Sequence, residues 1–431
     1  MDIINLAKRR RGPIDNPIIE SDSRIIYFAD ILSNKVNHLA RIKEGDVVGI
    51  IGDFDSQTLL NLLFLIQKNA IIIPLSPVNR IEHEGFLEIC KVDWIVENVS
   101  VEQRPSGKKS ELIENLQIKR NPGLILFSSG STGKPKAILH DFSIFFKRFD
   151  VPSSARKTLN FLLFDHIGGL NTFFHTLFNS GTIVPVVDRS PFNIISVCNK
   201  HKIELLPTTP TFLRMLLYSG ISESDLPDSL KIITYGTERM QQETLNQLCN
   251  TFPQVDFRQT YGLSEIGILK VKSESRDSLF IKIGGDGVEI KTVNNELMIK
   301  TPTKMIGYLN EDSPFDSDGW YKTGDIVEIK DEYLKIIGRV NDVINVGGLK
   351  FLPSEIETIA LKFGSIDNAK ATAESNPITG HHVKLIITPS KTGIFDLENF
   401  KEYLESHLPK HKVPSQILIK DISFNHRFKQ I

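Results

Sequence analysis

One stretch constrains this chain more than any other: a short apolar run leads directly into a loop rich in glycine and hydroxyl groups. The run is Leu124–Phe127, and the ten residues Phe127–Lys136 hold two glycines, four hydroxyl groups and two lysines. A buried strand that enters such a loop presents backbone N–H and hydroxyl donors to an anion, and glycine lets the backbone approach closely. The pattern predicts a phosphate-binding loop, with a flexible surface loop as the alternative.

The spacing within this loop differs from that of a Walker A loop. A Walker A loop has four residues between its first glycine and its Gly-Lys pair, and a serine or threonine after the lysine. Here two residues separate Gly130 from Gly133, and Pro135 follows Lys134. The spacing therefore excludes a P-loop kinase.

The sequence before this loop alternates between apolar strands and a helix. Gly45–Ile51 and Ala70–Leu75 are typical of buried strands, and Ser56–Ala70 between them is typical of a largely buried helix. Strands that alternate with helices indicate a parallel α/β sheet. Val99–Gly123 is polar and is interrupted by proline and glycine, so we expect mainly loop there.

Bulk properties exclude several classes of function. A length of 431 residues favours about two or three domains. A net charge of −1 argues against a nucleic-acid or anionic-membrane surface. The most apolar segment, Leu59–Ile66, is too short to span a membrane, and no signal peptide is evident. Cys90, Cys198 and Cys249 lack metal-site spacing, so we expect a cytoplasmic protein with reduced thiols.

The order of the residues in the glycine-rich loop is more specific than their composition. Ser129–Lys136 resembles the phosphate loop of the adenylate-forming superfamily, which includes acyl-CoA synthetases, peptide-synthetase adenylation domains and luciferases. The resemblance implies that the loop binds ATP through Ser128, Ser129, Gly130, Ser131, Thr132, Gly133 and Lys136.

A second motif, Phe161–Leu170, resembles the acyl-CoA synthetase segment that places a histidine beside the substrate carboxylate. We expect an apolar strand that ends at Asp165 and His166, followed by two glycines that leave room beside the backbone. The resemblance implies a catalytic role for His166 and a substrate pocket formed by Asp165, His166, Gly168 and Gly169. Asp165 stands where acyl-CoA synthetases tend to carry an aromatic residue, so an amino-acid substrate stays open.

Two further motifs resemble the nucleotide-binding segments of the superfamily. Lys231–Glu238 is a strand with a tight turn, and Gln259–Glu265 follows it. Tyr261 offers a flat face to a base, and the carboxylate of Glu265 is a hard oxygen ligand that suits Mg²⁺. The resemblance implies a catalytic, metal-binding Glu265 and ATP-binding roles for Gly236, Thr237, Glu238, Thr260, Tyr261, Gly262 and Ser264.

Short alternating segments follow, such as Val288–Lys291 and Glu296–Lys300, and they predict antiparallel strands. The resemblance makes these strands a small β-barrel subdomain at about residues 270–337. Asp325 closes the motif Asp318–Asp325, where a carboxylate at the end of a tight turn can accept both ribose hydroxyls. Asp325 and Arg339 are therefore expected to bind the ATP ribose.

The C-terminal part has an α+β pattern: a helix that begins at Pro353, a strand at Val383–Ile387, a helix at Leu397–Leu408 and a strand at Gln416–Ile419. The resemblance implies a hinge at Asn341, a channel for the acceptor thiol at Gly347 and Gly348, and a catalytic lysine at Lys429. Ser423 and Phe428 depart from the superfamily pattern around that lysine.

The resemblance covers essentially the whole chain and implies an α/β fold. Its large N-terminal domain, residues 1–340, would consist of layered α/β sheets with the small β-barrel subdomain. A small mobile α+β domain would follow at residues 341–431.

The implied activity is that of an acid–thiol ligase of the AMP-forming acyl-CoA synthetase type. It would use ATP and Mg²⁺ to convert a carboxylic acid into an acyl-adenylate, release pyrophosphate, and transfer the acyl group to CoA. One alternative is loading of an acyl or amino acid onto the phosphopantetheine of a carrier protein. Another is a degenerate nucleotide-binding protein, favoured by Ala137 in place of glycine and by Asn341 at the hinge.

Overall fold

The computed structural model of the chain describes residues 7, 17–22, 25–27, 30, 36–105, 107–129, 134–376, 380–390 and 395–420. No helix within these ranges is long and apolar enough to cross a lipid bilayer.

The first sheet is built from the N-terminal region. The elements of this region are β1 (Ile19–Glu20), β2 (Ile25–Ile26), β3 (Val47–Ile51), α1 (Ser56–Gln67), β4 (Ile71–Leu75), α2 (Arg80–Cys90), β5 (Trp94–Glu97), β6 (Ser100–Gln103), α3 (Glu111–Ile118), β7 (Gly123–Ser129) and β8 (Pro135–Asp141). Strands β1 and β2 belong to the second sheet, described below. The order across the first sheet is β8-β7-β4-β3-β5-β6, with parallel pairing from β7 to β5 and antiparallel pairing at both ends.

The central strands of this sheet are apolar because helices or other layers cover both of their faces. Every residue of β3 and β4 is buried. Helix α1 begins at Asp55, whose carboxylate accepts hydrogen bonds from the backbone N–H groups of Gln57 and Thr58. The predicted strand, helix and strand before the glycine-rich loop are confirmed.

The expectation of mainly loop between Val99 and Gly123 is wrong, because β6 and α3 lie there. Ser110 caps α3 by accepting a hydrogen bond from the backbone N–H of Ile113. Ile113 and Leu116 then bury one face of this short helix. Two buried positions in eight residues are a weak periodic signal, and the flanking proline and glycine residues conceal it.

The second sheet forms the next layer, and its elements are α4 (Phe142–Phe145), β9 (Lys157–Asn160), α5 (Ile167–Phe178), β10 (Thr182–Pro185), α6 (Pro191–His201), β11 (Leu205–Thr208), α7 (Pro210–Tyr218), β12 (Ile232–Tyr235), α8 (Gln242–Thr251) and β13 (Asp256–Gln259). The strand order is β13-β12-β11-β9-β10-β1-β2, parallel from β13 to β1. The carboxyl ends of β9, β11, β12 and β13 therefore lie along one edge, the usual place for a ligand in such sheets.

The structure corrects the boundary of the motif at Phe161–Leu170. The strand in this region, β9, ends at Asn160, and helix α5 begins directly after His166. Gly169 lies in the first turn of α5, where an added Cβ would be 2.1 Å from the carbonyl oxygen of Leu163. This glycine therefore permits close packing of the helix against the preceding backbone and leaves no open room beside it.

A cluster of phenylalanine rings packs helices α4 and α5 into the core that also contains α1, β3, β4 and β10. Phe142, Phe146, Phe174 and Phe178 are buried, and their ring centroids lie 4.8–6.0 Å apart in stacked or edge-to-face pairs. One face of α5 is thereby fixed in the core.

The third sheet is antiparallel, and this part of the chain contains β14 (Tyr261–Leu263), β15 (Gly267–Ser273), β16 (Ile281–Gly284), β17 (Glu289–Val293), β18 (Glu296–Lys300), β19 (Gly307–Tyr308), β20 (Tyr321–Lys330) and β21 (Tyr333–Arg339). The order is β14-β15-β16-β21-β20-β18-β17, while β19 pairs with β8 of the first sheet. The predicted antiparallel strands are confirmed, and this sheet occupies the position of the expected β-barrel subdomain.

The C-terminal part has its own core, formed within residues 344–417. Its elements are β22 (Ile344–Val346), β23 (Leu349–Phe351), α9 (Pro353–Leu361), β24 (Ile366–Asn376), β25 (Gly380–Pro389), α10 (Leu397–His407) and β26 (Gln416–Ile419). The predicted helices and strands are confirmed, and β24 is an addition to them. This separate core begins at Ile344, close to the predicted domain boundary between residues 340 and 341. The boundary itself stays a prediction.

The close approach at Gly169 predicts a large effect of one methyl group on stability. In Gly169→Ala, the added Cβ meets the backbone of Leu163, so we expect the free energy of unfolding to fall by about 1–3 kcal/mol. Chemical denaturation measures this change.

Gly85→Ala is the matched control, because Gly85 is exposed in α2 and an added Cβ has no neighbour within 4 Å. Helix propensity predicts a gain of about 0.5–1 kcal/mol for this variant. Equal effects of the two substitutions would contradict the packing argument for Gly169.

Candidate active site

A cavity of about 580 Å³ lies at the carboxyl ends of β11, β12 and β13 and extends to the third sheet. Most of the sequence-predicted site residues with described side chains line it: Ser128, His166, Gly168, Gly236, Thr237, Glu238, Thr260, Tyr261, Gly262, Ser264, Glu265, Asp325 and Arg339. The structure therefore brings together motifs that are up to about two hundred residues apart in sequence.

The loop after β12 is held in a restricted conformation beside the cavity. An added Cβ at Gly236 would be 2.2 Å from Oγ1 of Thr260, so only glycine fits without a shift. Thr237 adopts a positive φ of 71°, which is costly for a β-branched residue and is typical of functional loops. The Glu238 carboxylate accepts a hydrogen bond of 2.6 Å from the Thr211 hydroxyl, and this contact fixes the end of the loop.

Asp325 is the buried carboxylate of the site, with 4% of its surface exposed. Its Oδ2 accepts a hydrogen bond of 2.7 Å from the Tyr261 hydroxyl, and its Oδ1 accepts one of 3.0 Å from Nε of Arg339. Each carboxylate oxygen can accept a second hydrogen bond, so a diol can still be bound. Asp325 lies within β20, next to Gly324 with its φ of 73°, and not at the end of a turn as the sequence suggested.

Tyr261 serves this carboxylate as a hydrogen-bond donor. Burial, and then the neighbouring Asp325 carboxylate, raise the pKa of the Tyr261 hydroxyl well above its ordinary value. The phenol therefore keeps its proton at physiological pH and donates a hydrogen bond to Asp325. The predicted role of its ring as a surface for adenine stays a prediction.

Glu265 is a second buried carboxylate on the cavity wall. Its Oε1 accepts a hydrogen bond of 2.8 Å from the Tyr308 hydroxyl, and burial, followed by the Glu265 charge, raises the pKa of Tyr308. The ammonium group of Lys136 lies 5.1 Å from the centre of the Tyr308 ring. Tyr308 thus connects the lysine of the glycine-rich loop to the carboxylate expected to bind metal.

A buried histidine supports the Ser264–Glu265 segment from behind. Nε2 of His140 lies 2.7 Å from the carbonyl oxygen of Ser264. Burial, and then the Arg148 charge, lower the pKa of His140 to about 3, so its imidazole is neutral at physiological pH and donates this bond. Gly267 has a φ of 76°, and an added Cβ there would be 2.1 Å from Arg148, so the turn after Glu265 requires glycine.

The glycine-rich loop connects two antiparallel strands, since Ser128 pairs with Lys136 and Ser129 with Pro135. Gly130, Ser131, Thr132 and Gly133, and the side chain of Ser129, lie outside the described part of the structure. Ala137 is buried in β8, where its backbone N–H donates to the side chain of Asn310 at 2.9 Å. Alanine therefore fits at the position where the superfamily has glycine.

Only part of the motif Phe161–Leu170 lies on the cavity wall. Nδ1 of His166 accepts a hydrogen bond of 3.0 Å from the N–H of Gly168, which caps α5 and places the proton of the neutral ring on Nε2. His166 and Gly168 line the cavity, whereas Asp165 and Gly169 do not belong to its described wall. Burial lowers the pKa of His83, and the Asp165 carboxylate nearby is one of the groups that oppose this shift.

The predicted hinge and thiol channel lie on the surface. Asn341 is exposed in the turn after β21, next to Asp342 on the cavity wall. Gly347 and Gly348 form the exposed tip of the β22–β23 hairpin with φ values of 59° and 88°, and the described wall does not include them. Their roles stay predictions, and Lys429 lies outside the described residues.

The sequence motifs did not predict two sets of residues that lie at the cavity. The first is the inner face of α5, where Asn171, Thr172, His175 and Thr176 interrupt an otherwise apolar helix at spacings of three and four residues. Those spacings were the available signal. The second is an ion pair of 2.8 Å between Arg239 on the wall and Glu357 of α9, which no local pattern could indicate.

Comparison with known families agrees with this geometry. The sequence model of the AMP-binding enzyme family matches residues 40–309, which is more than half of the chain. The chain therefore belongs to the AMP-binding enzyme family. The resemblance to adenylate-forming enzymes that the motifs indicated is confirmed.

Two curated relatives are CoA ligases by name. The chain is 25% identical over 405 residues to the acyl-CoA synthetase FUM10 of Gibberella moniliformis, with 82% of this chain and 73% of that protein covered. It is 25% identical over 335 residues to 4-coumarate–CoA ligase-like 6 of Arabidopsis thaliana, with 69% and 59% covered. The chain thus spans less than two thirds of the length of the second relative.

A solved structure confirms the fold class. The o-succinylbenzoate CoA synthetase MenE from Bacillus subtilis, in complex with its acyl-adenylate intermediate OSB-AMP, aligns with a TM-score of 0.79. The alignment covers 99% of this chain and 96% of that chain at 18% identity. Similarity at this identity shows a shared fold of α/β sheets with a small C-terminal domain.

The contacts of Asp325 predict the effect of removing the Tyr261 hydroxyl. Tyr261→Phe takes one donor from a buried carboxylate, so we expect the free energy of unfolding to fall by about 1.5–3 kcal/mol. If Asp325 binds ribose, AMP affinity should also fall by about tenfold, because the carboxylate loses its orientation. Denaturation and calorimetric AMP binding measure the two effects.

Tyr333→Phe is the control, since the structure assigns the Tyr333 hydroxyl no hydrogen bond to a described residue and Tyr333 lies at the far end of β21. We expect this variant to match the unmodified protein in both measurements. A loss of stability in Tyr261→Phe with unchanged AMP affinity would make Asp325 a structural group only.

Proposed function

We propose that the protein is an AMP-forming acid–CoA ligase of the acyl-CoA synthetase type. In the first step, a carboxylate oxygen bonds to the α-phosphorus of ATP and pyrophosphate leaves. In the second step, the sulfur of the CoA thiol bonds to the acyl carbon, AMP leaves, and the thiol proton passes to solvent. The names of the CoA ligases to which the chain is similar support this assignment.

The observation that carries the proposal is the shared cavity. Its wall contains the hydrogen-bonded Asp325 cluster and the Gly236–Glu238 loop, and also the inner face of α5. A volume of about 580 Å³ lies within the usual range for small-molecule sites. A nucleotide and an acid can therefore share one cavity, as formation of an acyl-adenylate requires.

The nucleotide roles follow from the chemistry of the wall. Asp325 accepts hydrogen bonds from the two ribose hydroxyls, and the charge-assisted hydrogen bond from Arg339 orients its carboxylate. Tyr261 and the Gly236–Glu238 loop contact adenine. Ser128 begins the loop that binds the phosphates through its hydroxyl and N–H groups.

The residues present fit Mg²⁺ held largely by water and phosphate oxygens. Glu265 places a buried carboxylate on the wall, and no cluster of three histidine, cysteine, aspartate or glutamate side chains suited to a metal occurs in the described ranges. Mg²⁺ is commonly bound by one or two carboxylates together with substrate phosphates. Bound there, the ion would neutralise charge on the triphosphate.

Charge compensation is the main requirement of the first step, because an anionic carboxylate must approach an anionic triphosphate. His166, with its proton on Nε2, can donate toward the acid from the cavity wall. We propose that Lys429 bridges the two reacting anions, as the superfamily motif implies.

The second step requires a route for the thiol of CoA. We propose that the C-terminal domain rotates about Asn341 and brings the hairpin tip at Gly347 and Gly348 to the cavity. The small, exposed tip can adopt its left-handed conformation at little cost, which suits close contact with a pantetheine chain. Gating by a mobile domain separates the two half-reactions.

Loading of an amino acid onto a carrier protein has less support. That alternative depended on Asp165 as the partner of a substrate amine, and the described cavity wall does not include Asp165. A degenerate nucleotide-binding protein is also less favoured, because Ala137, one of the two residues that favoured it, fits in β8 with its backbone N–H bonded to Asn310. The cytoplasmic location stays a prediction.

The direct test is ATP-dependent pyrophosphate release with short, long-chain, aromatic and amino acids, each with and without CoA. We expect release with one class of acid and a CoA thioester as the product. A trapped adenylate that reacts only with a carrier protein would overturn the choice of CoA. Intact ATP binding with no pyrophosphate release from any acid would overturn the proposed activity.

The metal role of Glu265 predicts the behaviour of Glu265→Gln. The amide keeps the size of the side chain but removes its charge, so we expect the Mg²⁺ concentration for half-maximal pyrophosphate release to rise by about tenfold or more. A Mg²⁺ titration at fixed ATP measures this shift.

Glu328→Gln controls for the change in net charge, because Glu328 is exposed on β20 and pairs with Lys335 at 3.4 Å. Its Mg²⁺ titration should match that of the unmodified protein. An unchanged titration in Glu265→Gln would remove Glu265 from the metal site.

A further inference from the structure

Polar side chains follow the cavity-facing side of helix α5. Gly168, Asn171, Thr172, His175 and Thr176 line the cavity, and their spacing of three and four residues places them on one face. The opposite side of α5 lies in the phenylalanine cluster. At a rise of about 1.5 Å per residue, the polar face extends about 12 Å along the wall.

Three of these side chains lack a hydrogen-bond partner in the described protein. Oγ1 of Thr176 is buried without one, and no hydrogen bond within the described ranges involves the Asn171 amide or the His175 ring. Thr172 differs, because its hydroxyl donates to the carbonyl of Gly168 at 2.8 Å. A buried polar group without a partner costs about 1–3 kcal/mol, so a ligand that pairs with Thr176 would be favoured, and the partly exposed Asn171 and His175 side chains are accessible to the same ligand.

The polar face carries no formal charge at neutral pH. Burial, and then the charge of Arg156, lower the pKa of His175 below its ordinary value. The imidazole therefore acts as a neutral donor and acceptor, and Asn171 and Thr176 offer further neutral groups. Such a wall matches a hydroxyl, carbonyl or amide better than a second carboxylate.

The remaining wall is partly apolar, since Leu162, Leu205, Met240 and Ile268 also line the cavity. An acyl group with an apolar body would bury surface against these side chains. The same body would leave the α5 face unpaired unless it also carried hydrogen-bonding groups. A plain alkyl chain thus fits only part of the cavity.

We propose that the acid activated by this protein carries a neutral hydrogen-bonding group on an otherwise apolar body, and that Asn171 and His175 recognise this group. The inference rests on the proposed acid activation and specifies its substrate class. Asn171 and His175 are specificity-determining residues, while the nucleotide end of the cavity performs the adenylation.

The test compares matched acids with the same carbon skeleton. Octanoic acid is compared with its hydroxy and oxo derivatives at several positions, and phenylpropanoic acid with its ring-hydroxylated and amide derivatives. The readout is kcat/KM for pyrophosphate release. A site built to hydrogen-bond a substrate group discriminates strongly against the analogue without it, so we expect at least one polar acid to exceed its parent by about tenfold or more.

Substitutions then test whether Asn171 and His175 cause the difference in kcat/KM between the polar acid and its parent. Asn171→Leu and His175→Leu keep approximate size and remove the hydrogen-bonding groups, so each should bring the ratio of the polar acid to its parent toward one. Thr172→Val is the matched control on the same face, since the Thr172 hydroxyl is already bonded to Gly168, and it should keep the ratio. Thermal unfolding and ATP binding of each variant show whether it folds.

The outcomes separate the inference from the proposed function. Activation of parent and polar acids with equal kcat/KM, or a ratio unaffected by both leucine substitutions, would overturn the inference and leave the ligase activity standing. Failure of every acid to release pyrophosphate would overturn the proposed function and the inference with it. If a leucine variant does not fold, Asn171→Ala and His175→Ala replace it, because they also remove the hydrogen-bonding groups, and an unchanged ratio there has the same meaning.

Discussion

The hydrogen-bonded Asp325 carboxylate is the interaction on which the proposed nucleotide end of the cavity depends. A buried charge is costly unless donors surround it. Its two donors come from different strands, Tyr261 of β14 and Arg339 at the end of β21, while Asp325 itself belongs to β20. Satisfying this single group therefore fixes three strands of the third sheet relative to the cavity.

The same end of the cavity is coupled to the position of the C-terminal domain. Arg239 directly follows the Gly236–Glu238 loop and pairs at 2.8 Å with Glu357 of α9. Burial raises the pKa of Glu357, while the Arg239 charge and the N–H of Ala371 oppose this rise. Separation of the domains would expose this pair, so the loop that we propose to contact the nucleotide would also respond to the proposed movement of the C-terminal domain.

Much of the fold could be predicted because its signals are local. The all-buried strands β3 and β4 leave continuous apolar runs in the sequence. The motifs that end at Glu238, Glu265 and Asp325 contain the predicted functional residues in consecutive or nearby positions. The segment Phe161–Phe164 was misinterpreted because an apolar run has the same composition in a strand and in a buried turn. The partners of Asp325, by contrast, depend on register, and only Arg339 was expected near it.

The proposed selectivity for the acyl group depends on packing that no local pattern reveals. Gly169 lets α5 begin directly against the backbone of Leu163, and the phenylalanine cluster fixes the opposite side of the helix. These two contacts determine which face of α5 reaches the cavity. Asn171 and His175 are thereby held on a rigid element rather than a loop, and rigid donors lose little entropy on binding. A helix fixed in this way can discriminate between acids that differ by one hydroxyl group.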